Sequence, residues 1–337
     1  MEHEQVVHCN EPDVGLRAIV AVHSTKLGPS LGGTRFYPYA SEADALADVL
    51  RLSRAMTYKS AAAGLDLGGG KAVIIGDPRR DKSQALFEAY GAFVDSLGGA
   101  YITTEDVGTT VADMEIIHTQ TKHVTGFAIE HGGSGDPSEA TGWGVFAAMR
   151  TLAKRLWSVD TLAGRHVAIK GVGKVGTYLA GHLASDGAKL TVADIYAEAS
   201  QRIADSYGAS IVSPGEIHAL DCDIFAPCAL AGAVNAQTIS QMRCAVVCGC
   251  ANNQLDTPED AERIAARGII YAPDFIVNAG GVINIAHELQ PGGYDKATAM
   301  EHTWRIGDTI ARVLDESEAS GITTEEAAER VAEARLL

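Results

Sequence analysis

The stretch HVAIKGVGKVG, residues 166–176, decides the fold. Its first five residues are mostly apolar and read as a strand, and Gly171, Gly173 and Gly176 follow with G-x-G-x-x-G spacing at the start of a helix running to about Asp186. A second strand, AKLTVAD, ends on Asp194, 23 residues after Gly171. The glycine spacing alone is a weak signal, but a strand before it, a helix after it and an acid at the next strand end make it a dinucleotide fingerprint. Gly171 permits a sharp turn, Gly173 lets a pyrophosphate meet the backbone, and Gly176 allows close packing of helix on strand. Val175 and Lys174 lie at the helix N-terminus, which faces the negative charge. Asp194 is placed to accept from a ribose 2′-hydroxyl and would repel a 2′-phosphate; the next arginine, Arg202, lies well into the following segment. NAD is therefore expected over NADP.

Outward from this motif the alternation continues. A helix spans about Ser138 to Trp157, and the short apolar strands DIFAP (223–227), AVVCG (245–249) and IIYAP (269–273) follow, separated by helices or loops. This alternation predicts an open, mostly parallel, doubly wound sheet. From about His287 the chain reads as charged amphipathic helices. On the other side, the Gly-rich and turn-rich stretch between Gly126 and Pro137 is the expected domain linker. The expected domains are 1–137, 138–286 and a C-terminal helical segment 287–337.

Before the linker, LRAIVAVH (16–23) reads as a strand and Gly28–Arg35 as a glycine-rich turn. From Ser41, an N-cap with Asp44 three residues on, Leu46, Val49, Leu50, Ser53 and Met56 share one helical face, and that helix delivers Lys59 at its end. KAVII (71–75) reads as a strand, with Lys71 where a glycine-rich loop enters the sheet. Leu86, Phe87, Tyr90, Phe93, Val94 and Leu97 mark a helix stopped by Gly98-Gly99. AYITT (100–104) is a strand from whose end Glu105 and Asp106 emerge.

The segment MTYKSAAAGLDLGGGK (56–71) places two lysines around a wall of Ala, Gly and Leu. Desolvation disfavours a lysine's charged form and a second lysine pushes the same way, so one could act as a base while the other holds an anion. Gly68–Lys71 is not a phosphate loop: Leu65 and Ala72 stand where that motif needs a glycine and a hydroxyl residue.

Composition narrows the partners. The chain has 337 residues, 46% hydrophobic and 21% charged, with a formal net charge of -16. That size predicts two domains, and that charge argues against nucleic acid or an anionic membrane surface as the main partner. No signal peptide or membrane-length apolar stretch is visible. Six cysteines without a C-x-x-C pair predict reduced thiols and a cytoplasmic setting. Cys244, Cys248 and Cys250 read as packed thiols, and His23, His118, His123 and His131 have no ligand spacing, so no metal site is expected.

With both halves in view, the sequence resembles the leucine, valine and phenylalanine branch of the amino-acid dehydrogenase superfamily that includes glutamate dehydrogenase. The resemblance rests on GPSLGGTRFYPYAS (28–41), residues 56–71, TTEDVGT (103–109), GGSGDPSEATGWGV (132–145), GVGKVG (171–176), CANNQ (250–254) and PDFIVNAGGVIN (273–284). EQVVHC and LGGTRFYPYAS are similar to actinobacterial valine dehydrogenases. The resemblance implies an α/β fold of two domains separated by a cleft, an N-terminal catalytic domain and a Rossmann NAD domain, with C-terminal helices returning to the first.

It also implies roles. Lys59 would bind the substrate carboxylate beside the Gly32-Gly33 backbone, and Lys71 would be the low-pKa lysine activating water. Asp106 would move protons at the amino nitrogen. Thr141 would contact the nicotinamide amide, and Asn253 and Asn278 would orient nicotinamide and substrate. Leu31 replaces the lysine, and Ile285 the serine, with which glutamate dehydrogenases hold a side-chain carboxylate. Leu31, Met56, Val282 and Ile285 would form an apolar pocket, where an unpaired γ-carboxylate is penalised. Thr104 stands where the branched-chain enzymes often carry a smaller residue. The expected activity is NAD-dependent oxidative deamination of valine, leucine or isoleucine by a homo-oligomer. A phenylalanine dehydrogenase and a non-catalytic NAD-binding sensor are the alternatives.

Overall fold

Side-chain alternation organises the first sheet. The computed structural model describes residues 3–337; Met1 and Glu2, the start of the N-terminal stretch in which no signal peptide was expected, lie outside the described residues. The chain divides into two units, one comprising the residues up to Pro137 with 284–296 and 332–337, the other 138–283 with 297–331.

The first unit holds β1 (Gln5–Glu11), β2 (Leu16–Ser24), β3 (Ser30–Tyr37), α1 (Glu42–Ala62), β4 (Gly68–Ile75), α2 (Gln84–Ser96), β5 (Tyr101–Glu105) and α3 (Val111–His118). The sheet order is β1-β2-β4-β3-β5. Successive strand residues point to opposite faces. Ala18, Val20, Val22, Phe36, Ala72 and Ile74 therefore share one face and pack with Leu86, Phe87 and Tyr90 of α2. Ile19, Ala21 and Val73 share the other and pack with Ala45 and Val49 of α1. Ser41 caps α1, accepting from the Asp44 amide at 3.1 Å, and Ser83 caps α2 through the Leu86 amide, contacts worth roughly 1 kcal/mol each.

Two expectations about glycines are corrected. Residues 28–35 are not a turn, because the chain from Ser30 onward is β3, paired with both β4 and β5. Gly68–Gly70 are not a loop before Lys71 but the first residues of β4. Crowding explains both. A Cβ on Gly32 would lie 1.8 Å from the Gly70 oxygen, on Gly69 2.0 Å from the Thr57 amide, and on Gly68 1.9 Å from the Ser24 oxygen. Here glycine admits a neighbour rather than loosening the chain.

The second unit begins with α4 (Ser138–Trp157) and β6 (His166–Lys170), followed by α5 (Lys174–Ser185), β7 (Lys189–Ala193), α6 (Ala197–Tyr207), β8 (Ser210–Ile211) and β9 (Ile224–Pro227). Then come α7 (Ala236–Gln241), β10 (Val246–Val247), α8 (Glu259–Ala266), β11 (Ile270–Tyr271), α9 (Asp274–Val277), α10 (Gly280–Ala286), α11 (Lys296–Trp304), α12 (Ile306–Ser320) and α13 (Thr324–Leu336); the division between units falls inside α10 and α13 and after the first residue of α11. Its sheet is parallel throughout, in the order β11-β10-β9-β6-β7-β8. The chain works outward from β6 to one side and then restarts beside β6 with β9, so the order reverses at the carboxyl end of β6.

The helices after His287 were expected to return to the first unit. Only 284–296 and 332–337 group with it; 297–331 group with the second. Packing on α4 is the reason. A Cβ on Gly144 would meet Ile306 Cδ1 at 2.5 Å, a Cβ on Gly307 would meet Thr151 Oγ1 at 2.5 Å, and Arg155 pairs with Asp315 and Glu318 of α12.

Candidate active site

In the first unit, strand alternation gathers the chemistry on the α1 face. Lys71 follows Gly69 and precedes Val73 on that face of β4. Leu31, Gly33 and Arg35 occupy it on β3, and Thr104 on β5, since Thr34 and Thr103 turn the opposite way to bond each other at 2.6 Å. Because the Thr57 backbone fills the space over Gly69, the carboxyl end of α1, with Lys59 in its last turn, lies on β4.

Asp106 follows β5. A Cβ on Gly33 would lie 2.8 Å from the Asp106 Cβ, so this glycine makes room for the carboxylate. The turn that carries it is pinned to β3: the Phe36 amide donates to the Val107 oxygen at 2.9 Å, the Asp106 amide to Thr109 Oγ1 at 2.8 Å, and Thr109 Oγ1 to the Thr34 oxygen at 2.9 Å. Gly108 has φ +84°, and a Cβ there would strike the Phe36 oxygen. The DVGT sequence is thus a built turn that aims Asp106.

Lys71, 7% exposed, donates its ammonium to Asp106 Oδ2. Asp106 Oδ1 accepts the Val107 amide at 2.5 Å and faces Arg35 Nη2 at 3.8 Å. Burial would raise the Asp106 pKa, but the charges of Lys71 and Arg35 and these hydrogen bonds hold it down at about 2. Arg35 is docked on Asp48 of α1, Nη1 to Oδ2 at 2.8 Å, and Tyr39 donates to the same oxygen at 2.7 Å. Burial raises the Asp48 carboxyl, and Tyr39, Arg51 and Arg35 outweigh it and hold its pKa below the usual value.

Of the expected pocket residues, Leu31 is fully buried and Thr104 nearly so, while Met56 is half-buried. Thr104 Oγ1 is shut from water with no hydrogen-bond partner among the described residues, and the Gly126 backbone presses against it. Val282 and Ile285 are each 7% exposed.

In the second unit, the three fingerprint glycines have three different reasons. Gly171 adopts φ +100° with Ala229 against it, and a Cβ on Gly176 would meet the Gly171 oxygen at 2.2 Å. A Cβ on Gly173 would meet nothing within 4 Å, and Gly173 starts α5 without a side-chain cap. Open space beside Gly173 at the start of α5 leaves room for a phosphate at a helix N-terminus. Asp194 Oδ2 accepts the Val172 amide at 2.8 Å and Oδ1 the Tyr196 amide at 2.9 Å. The carboxylate holds the glycine loop, and its remaining lone pairs could accept from the hydroxyls of a ribose.

At the carboxyl ends of β10 and β11, Asn278 Nδ2 donates to Asn252 Oδ1 at 2.8 Å and to the Cys250 oxygen at 3.3 Å, leaving Asn278 Oδ1 buried without a partner among the described residues. Asn253 has φ +51°, and its carbonyl accepts the Gly232 amide. A Cβ on Gly280 would lie 3.0 Å from the Thr141 Cα, which sets Thr141 beside the Asn278 segment. An orphaned amide oxygen near Thr141 fits the carboxamide of a nicotinamide. Arg35, Asp48, Tyr39 and Asn252 were not singled out from sequence. Arg35 was visible in principle: two residues after Gly33 on a strand, it must share Gly33's face.

Cys222, Cys244 and Cys248 are buried thiols whose pKa values burial pushes upward, to about 12 and about 11 for the first two, as suits packing.

Comparison with known proteins adds a second line. Residues 3–123 match the Glu/Leu/Phe/Val dehydrogenase dimerisation domain, and residues 132–197 and 192–303 match Glutamate/Leucine/Phenylalanine/Valine dehydrogenase. A leucine dehydrogenase of Bacillus cereus is 51% identical, over 99% of this chain and 91% of its own length. A valine dehydrogenase of Streptomyces coelicolor is 49% identical, over 99% and 92%. These near-equal identities do not separate the two substrates. A crystal structure of L-tryptophan dehydrogenase from Nostoc punctiforme superposes with TM-score 0.87 at 42% identity, covering 99% of this chain and 96% of that one.

Proposed function

Since the chain belongs to the Glu/Leu/Phe/Val dehydrogenase family, we propose that it is an NAD-dependent L-amino-acid dehydrogenase acting on branched-chain substrates. It converts L-amino acid, NAD and water reversibly to 2-oxo acid, ammonium and NADH. The observation that carries this reading is the buried Lys71–Asp106 pair on a sheet face shared with Leu31 and Thr104.

Lys59 holds the α-carboxylate by charge. Lys71 abstracts a proton from water attacking the imino acid, and Asp106 takes and returns protons at the amino nitrogen. When bound, the dinucleotide supplies the hydride acceptor. Gly173 and the start of α5 carry its pyrophosphate, Asp194 its ribose, and Thr141, Asn253 and Asn278 its nicotinamide. Leu31 offers a γ-carboxylate no partner, so acidic substrates are rejected, while one methylene among aliphatic ones is worth only about 1–3 kcal/mol.

The chain acts as a homo-oligomer: the dimerisation-domain match covers β1, which is an edge strand. No described helix is long and apolar enough to cross a membrane, and six free cysteines suit a reducing cytoplasm. Steady-state rates on about a dozen amino acids with NAD and NADP test the proposal. Valine, leucine and isoleucine with NAD should lead. Preference for phenylalanine or for NADP would overturn the corresponding part, and no NADH with any amino acid at alkaline pH would leave a sensor.

A further inference from the structure

We propose that Arg35 is a positioning residue for the reaction, holding Asp106 in orientation and ionised while Lys71 passes through its uncharged form. The inference rests on the function proposed above. If Lys71 shuttles a proton, the carboxylate loses its cation once in every cycle, at the step where Asp106 must be ready to accept a proton from the amine. Arg35 does not titrate in the working range, so its charge persists through that step.

The geometry fits this task. Among the described residues, the charged groups facing Asp106 are Lys71 from β4 and Arg35 from β3, with Asp48 of α1 behind the arginine. Nη1 is committed to Asp48 at 2.8 Å, which turns Nη2 toward Asp106 Oδ1 at 3.8 Å. Asp48 is itself fixed by Tyr39 and by Arg51 at 2.8 Å. At 3.8 Å the arginine acts through its field and leaves the carboxylate free to bond elsewhere. Arg35 Nε is closed off from water and has no acceptor among the described residues. A desolvated, unpaired donor is a cost, which a guanidinium present only to fill space would not need to carry.

The test compares wild type with Arg35→Met, Arg35→Lys and Asp48→Asn, measuring kcat, KM, melting temperature and the pH dependence of kcat/KM. Arg35→Met should lower kcat at least tenfold, leave KM for NAD within twofold, and displace the acidic limb of the profile to higher pH, because the coupled Lys71–Asp106 pair loses a permanent cation. Arg35→Lys, which keeps the charge, should restore most of that displacement, and Asp48→Asn should fall between. An unchanged profile in Arg35→Met, or losses in all three variants that follow melting temperature alone, would overturn the inference. Should Arg35→Met not fold, Arg35→Lys and Asp48→Asn decide it, because only a positioning role links the acidic limb to Asp48. Wild type that turns over no amino acid would instead sink the proposed function.

Discussion

Lys71 and Asp106 each satisfy a charge the other could not bury alone. Removing one partner of a desolvated pair costs roughly 3–5 kcal/mol, and the figure should be lower here because Arg35 stays beside Asp106. Lys71→Ala is therefore expected to fold, to lose turnover by three orders of magnitude or more, and to keep its affinity for NAD, since the residues proposed to hold the dinucleotide lie in the other unit. Tryptophan fluorescence titration with NAD beside a turnover assay checks this; simultaneous loss of both would count against the role given to Lys71. The acid side of stability follows from the same pair. The Asp106 pKa lies at about 2 against an ordinary 3.8, so its contribution is present above the ordinary value and is lost as pH falls toward about 2.

At the scale of elements, α13 carries a conflict. An acid in a helix's first turn normally gains from the helix dipole, but Glu325, at that place in α13, is largely buried with Oε2 unpartnered among the described residues. Burial, with Asp274 and Glu329 nearby, raises its pKa to about 8. A carboxyl whose folded pKa exceeds its unfolded one contributes fully below the unfolded value, 4.5, and loses that contribution as pH climbs to about 8. Glu325→Gln should therefore melt close to wild type at pH 5 and later than wild type at pH 8, by on the order of 1–3 kcal/mol. Melting curves from pH 4.5 to 9 check it; parallel wild-type and variant profiles would refute it. Elements were legible where spacing alone specifies them: α1, α2 and α4, and the run from β6 to β7. β3 and the start of β4 were not, because glycine ordinarily argues against a strand, and only the Gly70 oxygen opposite Gly32 and Thr57 over Gly69 reveal why it is required. β8, two exposed residues long, carries no pattern to read. The fingerprint and the two lysines were plain in the sequence, but the Arg35–Asp48 link was hidden by reading residues 28–35 as a turn.

For the whole molecule, the first unit is discontinuous, and its last piece, 332–337, lies far in sequence from everything it serves. Arg335 Nη1 donates to the Ala61 oxygen at 3.2 Å and the Leu65 oxygen at 3.0 Å, while Nη2 pairs with Asp66 at 2.9 Å. Tyr58 donates to Glu333 at 2.9 Å. The last carbonyls of a helix have no partner within it, and the chain terminus supplies one at the end of α1, the end that carries Lys59. No local pattern discloses a contact across some 270 positions. The consequence falls on substrate rather than cofactor. Arg335→Ala removes the guanidinium bonds to the Ala61 and Leu65 oxygens, of which Ala61 keeps the Gly64 amide, and loosens the end of α1, so Lys59, in the role proposed for it, grips the carboxylate less well. KM for the amino acid should rise about three- to tenfold, with KM for NAD and the melting temperature little changed. Deleting 332–337 should do the same more severely. Initial-rate kinetics with each substrate varied in turn decide the matter, and an equal rise in both KM values would show that the terminus supports the fold at large rather than the grip of α1.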